Sequence, residues 1–456
     1  MPRDSADYPN ETRASRLPSD NPSTTFAAIP TRACPVTESI SFVRAARAAA
    51  FVASLAAAPA SYAPAQMPVQ TPAPNVATGR LVRATPRSVG MSTRLVARVD
   101  SVIRAAIADR ATPGATIAVV RRGKIVMLKG YGRTDWASGA PATNDSTMYD
   151  MASLTKVVSA TTAAMILEEE GKLDLNRTVA SYLPEYDVPD KRMITVRMLL
   201  THTSGIRSNH PLWKEAKGRE QYFAGMIRHP LESRPDSAAL YTDWNMVLLQ
   251  FIIEKQTGQT LDQFVEARVF GPLRMRDTRY NPPESLKRRI APTEIEDFRG
   301  GHVWGVVHDE TAWVLGGVSG NAGLFSSARD LAVFGQMLLN GGSYNGVQIL
   351  KPSTVARWTA RQRPDASRAL GWDTPSPSSS AGQYFSARSF GHTGFTGTSI
   401  WADPERELLL VLLTNRVNPT RDNQKIGPLR RAVADVVQQS ITDSPLRVWE
   451  DLPTRR

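Results

Sequence analysis

The sequence predicts a mixed α/β (α+β) protein: one antiparallel sheet built from the two ends of the chain, flanked by helices, with a mainly helical lobe inserted between its halves. Three observations carry that expectation. Early in the chain, Gly114-Ala-Thr-Ile-Ala-Val-Val120 and Lys124-Ile-Val-Met-Leu128 read as strands, joined by a hairpin turn at Arg121-Arg122-Gly123. Late in the chain a second pair of strands, 399–402 and 407–414, flanks a turn at Asp403-Pro404. The section between, roughly 151–345, has mainly helical spacing. Sheet and lobe then meet in a cleft, which is where a binding site is expected.

The elements follow in order. Residues 1–43 are rich in Ser, Pro, Thr and Asn and show no periodicity. Arg44 and Arg47 then precede an apolar run over 48–58 containing Phe51, Val52 and Leu55, and Ala63-Pro64-Ala65 offers a cleavage site before Gln66. This is a signal-peptide pattern, so 1–65 is expected to be a leader and the mature protein periplasmic or extracellular. Such a signal belongs at an N-terminus, which places the expected translation start downstream of Met1. The Pro-containing stretch 66–90 reads as a flexible linker, 91–445 as the globular domain and 446–456 as a tail. Within the domain, Leu95, Val96, Val99, Val102 and Ile103 predict a helix over 94–108. An almost wholly apolar helix is expected over 244–254 and an amphipathic one over 427–440.

Composition narrows the function. The chain is 41% hydrophobic and 21% charged, as soluble enzymes are, and no stretch approaches the roughly 20 apolar residues of a membrane-spanning helix. The net charge is +12, but 44 of the 55 basic residues are Arg and they are scattered, meeting only in short runs such as Arg121-Arg122 and Arg430-Arg431. A nucleic-acid binder would gather them in a stripe, so no nucleic-acid partner is expected. A basic surface suits the neighbourhood of anionic cell-envelope polymers. The single cysteine, Cys34, lies in the leader, which excludes disulfides, thiolate metal sites and a cysteine nucleophile from the domain. The six histidines are dispersed without His-Glu-x-x-His, so a zinc hydrolase is not expected, and neither a metal nor an organic cofactor is implied. Gly-x-Ser-x-Gly is absent too, which argues against an α/β-hydrolase.

Three short elements carry the chemistry. The first is Ser153-Leu-Thr-Lys156, at the start of a helical run that ends at Gly171. Residues three apart share a helix face, so the Lys156 amine can reach the Ser153 hydroxyl, and the helix dipole favours an alkoxide there. No other lysine in the chain has Ser three residues before it. The second is Tyr241-Thr-Asp243, at the entrance to the apolar helix. An adjacent ammonium favours the phenolate, which can take the Ser153 proton and return it to a leaving group. The third is Gly391-His392-Thr393-Gly394-Phe395, before the late strands. Here the Phe395 and Ser153 amides could face the oxyanion of a tetrahedral intermediate, with His392, Thr393 and Gly394 lining the same wall.

In this order and spacing the three elements resemble the Ser-x-x-Lys, Tyr-x-Asn and Lys-Thr-Gly signature of the serine β-lactamases and penicillin-binding proteins. The likeness is to the branch that holds class C β-lactamases, D-alanyl-D-alanine carboxypeptidases and related esterases, and it runs over about 91–440. It implies acylation of Ser153, with Lys156 and Tyr241 as the base and acid pair, on a small ester, a peptide, a β-lactam or a peptidoglycan fragment. Which of the two takes the first proton is left open, as is the oligomeric state. His202 and Asn321 fall in segments that look like family landmarks, and with His308 they are read as structural rather than catalytic. Two departures count. Asp243 stands where the family has Asn; it can pair with Lys156 but cannot donate a hydrogen bond to a substrate carbonyl. His392 replaces a Lys that would hold a substrate carboxylate. Both favour an esterase or carboxypeptidase over an efficient β-lactamase. The competing expectation is a non-catalytic relative that keeps the fold to bind peptidoglycan or a partner. Loops 207–219 and 282–311, with Trp213 and Trp304, are expected to shape the pocket.

Overall fold

In a computed structural model the described residues are 80–448 apart from 209 and 378, all within one compact unit, Thr71–Arg456. The leader, its cleavage site and most of the tail lie outside them. The chain opens with a two-residue strand β1 (Val82–Arg83), helix α1 (Leu95–Ala108) and the hairpin β2 (Gly114–Arg121) and β3 (Lys124–Gly132). Arg122 and Gly123 both have positive φ, 50° and 68°, which a two-residue hairpin turn with the strands' own twist requires. Strand β4 (Met148–Asp150) leads into a π-helical stretch (Lys156–Thr161) that continues as α2 (Thr162–Glu169). Next come α3 (Gly218–Arg228), α4 (Trp244–Thr257), β5 (Arg279–Tyr280), α5 (Glu310–Val314), β6 (Leu324–Ser327) and α6 (Ala328–Leu339). The chain closes with β7 (Phe390–Thr393), β8 (Ser399–Asp403), β9 (Leu408–Thr414) and α7 (Ile426–Gln439).

The main sheet has the order β1-β3-β2-β9-β8-β7, so the two termini meet where β9 pairs antiparallel with β2, as the sequence predicts. Strand β1 runs parallel to β3 at one edge. It lies in the stretch expected to be linker. The sheet takes it up because the Ala84 amide donates to Ile125 and Val89 and Met91 bury their side chains beside α1. Strand β7 is the opposite edge.

Alternation along the strands divides the core. On one face Ile117, Val119, Leu408, Leu410 and Leu412 pack against Leu95, Val99 and Ile103 of α1 and Leu429, Val433 and Val437 of α7. On the other, Ala118, Val120, Leu409, Val411 and Leu413 join Leu331 and Phe334 of α6. That second layer continues without a break through Val157, Leu167, Met246, Leu249 and Ile253 of the helical lobe. Helix α4 is apolar on nearly every side because it is buried on nearly every side. The lobe is not wholly helical: β4, β6 and β5 form a small antiparallel sheet within it. Their two to four residues each are too short to show a period-2 pattern.

Candidate active site

Ser153 sits on the turn between β4 and the first helix of the lobe. The Met151 amide is tied to the Leu324 carbonyl of β6 at 2.8 Å, and the Ala152 amide to Asp150 Oδ1 at 2.8 Å. Ala152 has φ 44°, a left-handed conformation that an alanine adopts only under constraint. That bend turns the chain into the helix and leaves the Ser153 side chain partly exposed while its neighbours are buried.

Lys156 is fully buried and its amine has three partners. Nζ donates to Ser153 Oγ at 2.8 Å and to the Asn321 carbonyl at 3.0 Å, and it lies 2.6 Å from Asp243 Oδ1. It also stands 5.1 Å from the centre of the Tyr241 ring. Burial is the largest influence on this amine and favours its neutral form, but Asp243 and Tyr241 together outweigh it and hold its pKa above the ordinary lysine value. Residues from the first two sequence elements therefore meet around one ammonium.

The third element closes the other side. In the turn after β7, Thr396 Oγ1 donates to the Asp150 carbonyl at 2.7 Å and Thr398 Oγ1 to that of Met151 at 3.0 Å. Gly394 passes so close that a Cβ there would stand 2.4 Å from the Met151 oxygen. Arg416 Nε holds the Phe395 carbonyl at 2.8 Å, and Arg430 holds those of Gly394 and Thr398. Neither the Ser153 nor the Phe395 amide finds an acceptor among the described residues. The Phe395 ring stacks on His308 at 5.8 Å.

The amino-acid pattern of the β-lactamase family matches residues 99–435. Two Salmonella proteins carrying the name "Putative D-alanyl-D-alanine carboxypeptidase", from S. agona and S. typhimurium, are 33% and 34% identical to the chain over 385 residues, 76% of this chain and 89% of theirs. The chain belongs to the β-lactamase family. It is a serine hydrolase. Solved structures share the fold. A penicillin-binding-protein homologue from Caulobacter crescentus superposes with a TM-score of 0.63 at 23% identity, over 77% of this chain and 99% of that one. A class C β-lactamase gives 0.64 at 18% identity, over 78% and 98%.

Within this β-lactamase-family site, the two departures from the signature take definite form. Asp243 makes the ion pair with Lys156 that its charge allows. His392 is buried and its pKa is pushed down to about 3, by burial first and then by the Arg368 and Lys156 cations. Its Nδ1 lies 2.8 Å from the Thr393 carbonyl, which can only accept, so Nδ1 carries the proton and Nε2 a lone pair. The positive charge missing at His392 stands instead on Arg368, which no sequence pattern marks. Its guanidinium lies 5.2 Å over the Tyr241 ring, and no acidic side chain pairs with it among the described residues. One arginine among 44 carries no sequence signal; only folding brings residue 368 to residue 241.

Two of the residues read as structural, His202 and Asn321, border the site without being idle. The His202 ring lies 4.5 Å from that of Tyr241, and its Nδ1 receives the Thr242 amide at 3.3 Å. Burial, then Arg368, Lys156 and His392, keep it neutral. Asn321 supplies the carbonyl to Lys156, and its side chain donates to Asp309 Oδ1 at 3.0 Å. Asp309, also missed from sequence, caps α5 through the Ala312 amide. Its pKa is pushed up to about 6, by burial first and by the Asp243 charge second. Of the two tryptophans expected at the pocket, Trp213 stacks on Phe298 at 5.4 Å, whereas Trp304 packs with Met148, Ile290 and Phe325 and donates to the Ile290 carbonyl. Trp304 is thus held as a packing residue, because its indole N–H is satisfied locally.

Proposed function

We propose that this protein is an exported carboxypeptidase-type hydrolase that cleaves peptides or esters whose leaving group ends in a carboxylate, through an acyl-enzyme on Ser153. The observation that carries the reading is the 2.8 Å contact between Lys156 Nζ and Ser153 Oγ, made by a buried amine that is ion-paired to the partly exposed Asp243. Lys156, held charged by Asp243, stays an ammonium and stabilises the developing Ser153 alkoxide rather than removing its proton. Tyr241, as its phenolate beside the ammonium, is then the base. The Ser153 proton passes to Tyr241 while Oγ bonds to the substrate carbonyl carbon, and the oxyanion is received by the Ser153 and Phe395 amides. Collapse breaks the bond to the leaving amine or alkoxide, which takes the proton from Tyr241. The Tyr241 phenolate then deprotonates a water that attacks the ester carbonyl, and the resulting phenol gives that proton to Oγ as the Oγ–C bond breaks and the acid product leaves. Arg368 holds the carboxylate of the leaving group, the task that the family's third-motif Lys performs.

The Salmonella relatives' name and the signal-peptide pattern agree with a peptidoglycan-derived substrate in the periplasm or outside the cell. The test is a turnover panel of nitrocefin, short-chain esters and D-alanyl-D-alanine peptides with wild type and Ser153→Ala. The peptides should be the best substrates, and Ser153→Ala should lose at least ~10³-fold on every substrate. Turnover that survives the substitution would end the proposal.

A further inference from the structure

We infer that His210, Glu215 and His229 form a binding site for one divalent transition-metal ion, zinc by preference, distinct from the acylation machinery. The three come from separate pieces of chain: a loop, the residue after the short turn Leu212–Lys214, and the residue that ends α3. In space they converge. One donor atom from each lies within 4.8 Å of the others, and the two imidazole rings are 4.0 Å apart between centres. His210 Nε2 approaches Glu215 Oε1 to 2.8 Å and His229 Nε2 approaches Oε2 to 3.3 Å, so both rings aim the same nitrogen at one carboxylate. The His210 approach lacks hydrogen-bond geometry, and its Nε2 is buried without a hydrogen-bond partner. Its close neighbour is the Glu215 carboxylate, met as an ion pair without hydrogen-bond alignment.

The donor set selects the ion. Two imidazoles and one carboxylate suit zinc and its neighbours; calcium and magnesium take oxygen donors. Donors at about 2.0–2.2 Å from a tetrahedral zinc stand about 3–3.5 Å from one another, which small rotations of these three side chains reach. Three protein ligands leave a fourth position for water. Solvent has access, since the His210, His229 and Glu215 side chains are 21%, 20% and 48% exposed. Among the described residues, the other group with metal-ligand chemistry, Glu294, Glu296 and His308, is already occupied: Arg421 pairs with both carboxylates.

The position gives the ion a structural consequence. Both rings pack on Trp244, at 6.0 and 5.8 Å, and Trp244 follows Asp243, the partner of Lys156. The same loop is tied to the Tyr241–Asp243 turn by the bond from Thr242 Oγ1 to the Arg207 carbonyl, 2.6 Å. An ion here staples the loop carrying Trp213 to the end of α3 and so fixes one border of the site.

Tag-free protein, stripped with a chelator and dialysed against zinc alone, should bind one ion per chain. The affinity should fall at least ~10-fold in His210→Gln and in His229→Gln, which keep polar side chains of similar size. The thermal midpoint of the wild type should rise with zinc, and that of the double variant should not. Labelling of Ser153 by a fluorophosphonate reports whether each variant is folded. Absence of stoichiometric zinc binding by the wild type at micromolar concentration overturns the inference whatever the variants do. So does binding that persists undiminished in a folded double variant.

Discussion

Lys156 and Asp243 form a 2.6 Å ion pair in which the amine is fully buried and the carboxylate partly exposed. A partner that reaches solvent loses little on ionising, whereas the buried amine depends on it. Asp243→Asn should therefore lower the Lys156 pKa, since burial then acts with less opposition. In the wild type the raised folded pKa means that this group stabilises the fold fully below the free-lysine value of 10.5, and the contribution fades as pH rises through the higher folded value. The variant should lose on the order of 1–3 kcal/mol at pH 7, with the deficit narrowing at strongly alkaline pH. Denaturant unfolding across that range checks it, and equal stabilities at pH 7 would contradict the pairing argument.

Arg368→Ala should raise KM about 10–100-fold for peptides ending in a free carboxylate and leave neutral short-chain esters nearly untouched. The contrast between the two substrate classes is the measurement. A uniform loss on both would mean that the guanidinium supports Tyr241 rather than substrate.

For His392→Lys, the sequence alone suggests a gain with anionic substrates, because the substitution restores the family's cation. The structure reverses that expectation. Position 392 is buried and already faces Lys156 and Arg368, the two cations that push its imidazole down to about 3. A third positive charge there should cost stability, about 1–3 kcal/mol, and give no improvement in KM for carboxylate substrates. Thermal melts and the peptide assay decide.

How far this was legible from sequence follows from the range of each signal. Ser153 and Lys156 are three residues apart, so helix geometry alone puts them together. The strands β2, β3, β8 and β9 announce themselves because they are long, apolar and bounded by turn residues. Asp309 and Arg368 had no such marker. Each is an ordinary charged residue on an irregular stretch, and its meaning comes from an Asn321 or a Tyr241 more than ten residues away. The three donors of the proposed metal site were hidden the same way, spaced 5 and 14 residues apart in no recognised pattern.

Asp309→Asn isolates the buried carboxyl from its hydrogen bonds, since an amide oxygen can still accept from Ala312 and Asn321. The folded pKa of about 6 exceeds the ordinary 3.8, so between those values the folded protein binds a proton that the unfolded chain has released. Wild-type stability from this group thus falls as pH rises through that window. The variant should be more stable than wild type at pH 7–8 by ~1–2 kcal/mol, with the advantage gone near pH 4. Urea midpoints at the two pH values test the sign.

Gly394→Ala tests how the turn after β7 is held against the nucleophile. A methyl group at 394 would stand 2.1 Å from Thr398 Oγ1 and 2.4 Å from the Met151 carbonyl, distances that no side-chain rotation of its own can relieve. The turn must move away from Met151, and the Phe395 amide moves with it. Because Arg416 and Arg430 still grip the carbonyls of 394, 395 and 398, the displacement should be local and the fold should survive. If that amide serves the oxyanion, kcat should fall about 10²-fold, the size of losing one such donor, while fluorophosphonate labelling of Ser153 slows but stays specific. A folded variant with unchanged kcat would remove Phe395 from the oxyanion site and leave the Ser153 amide to act with a different donor.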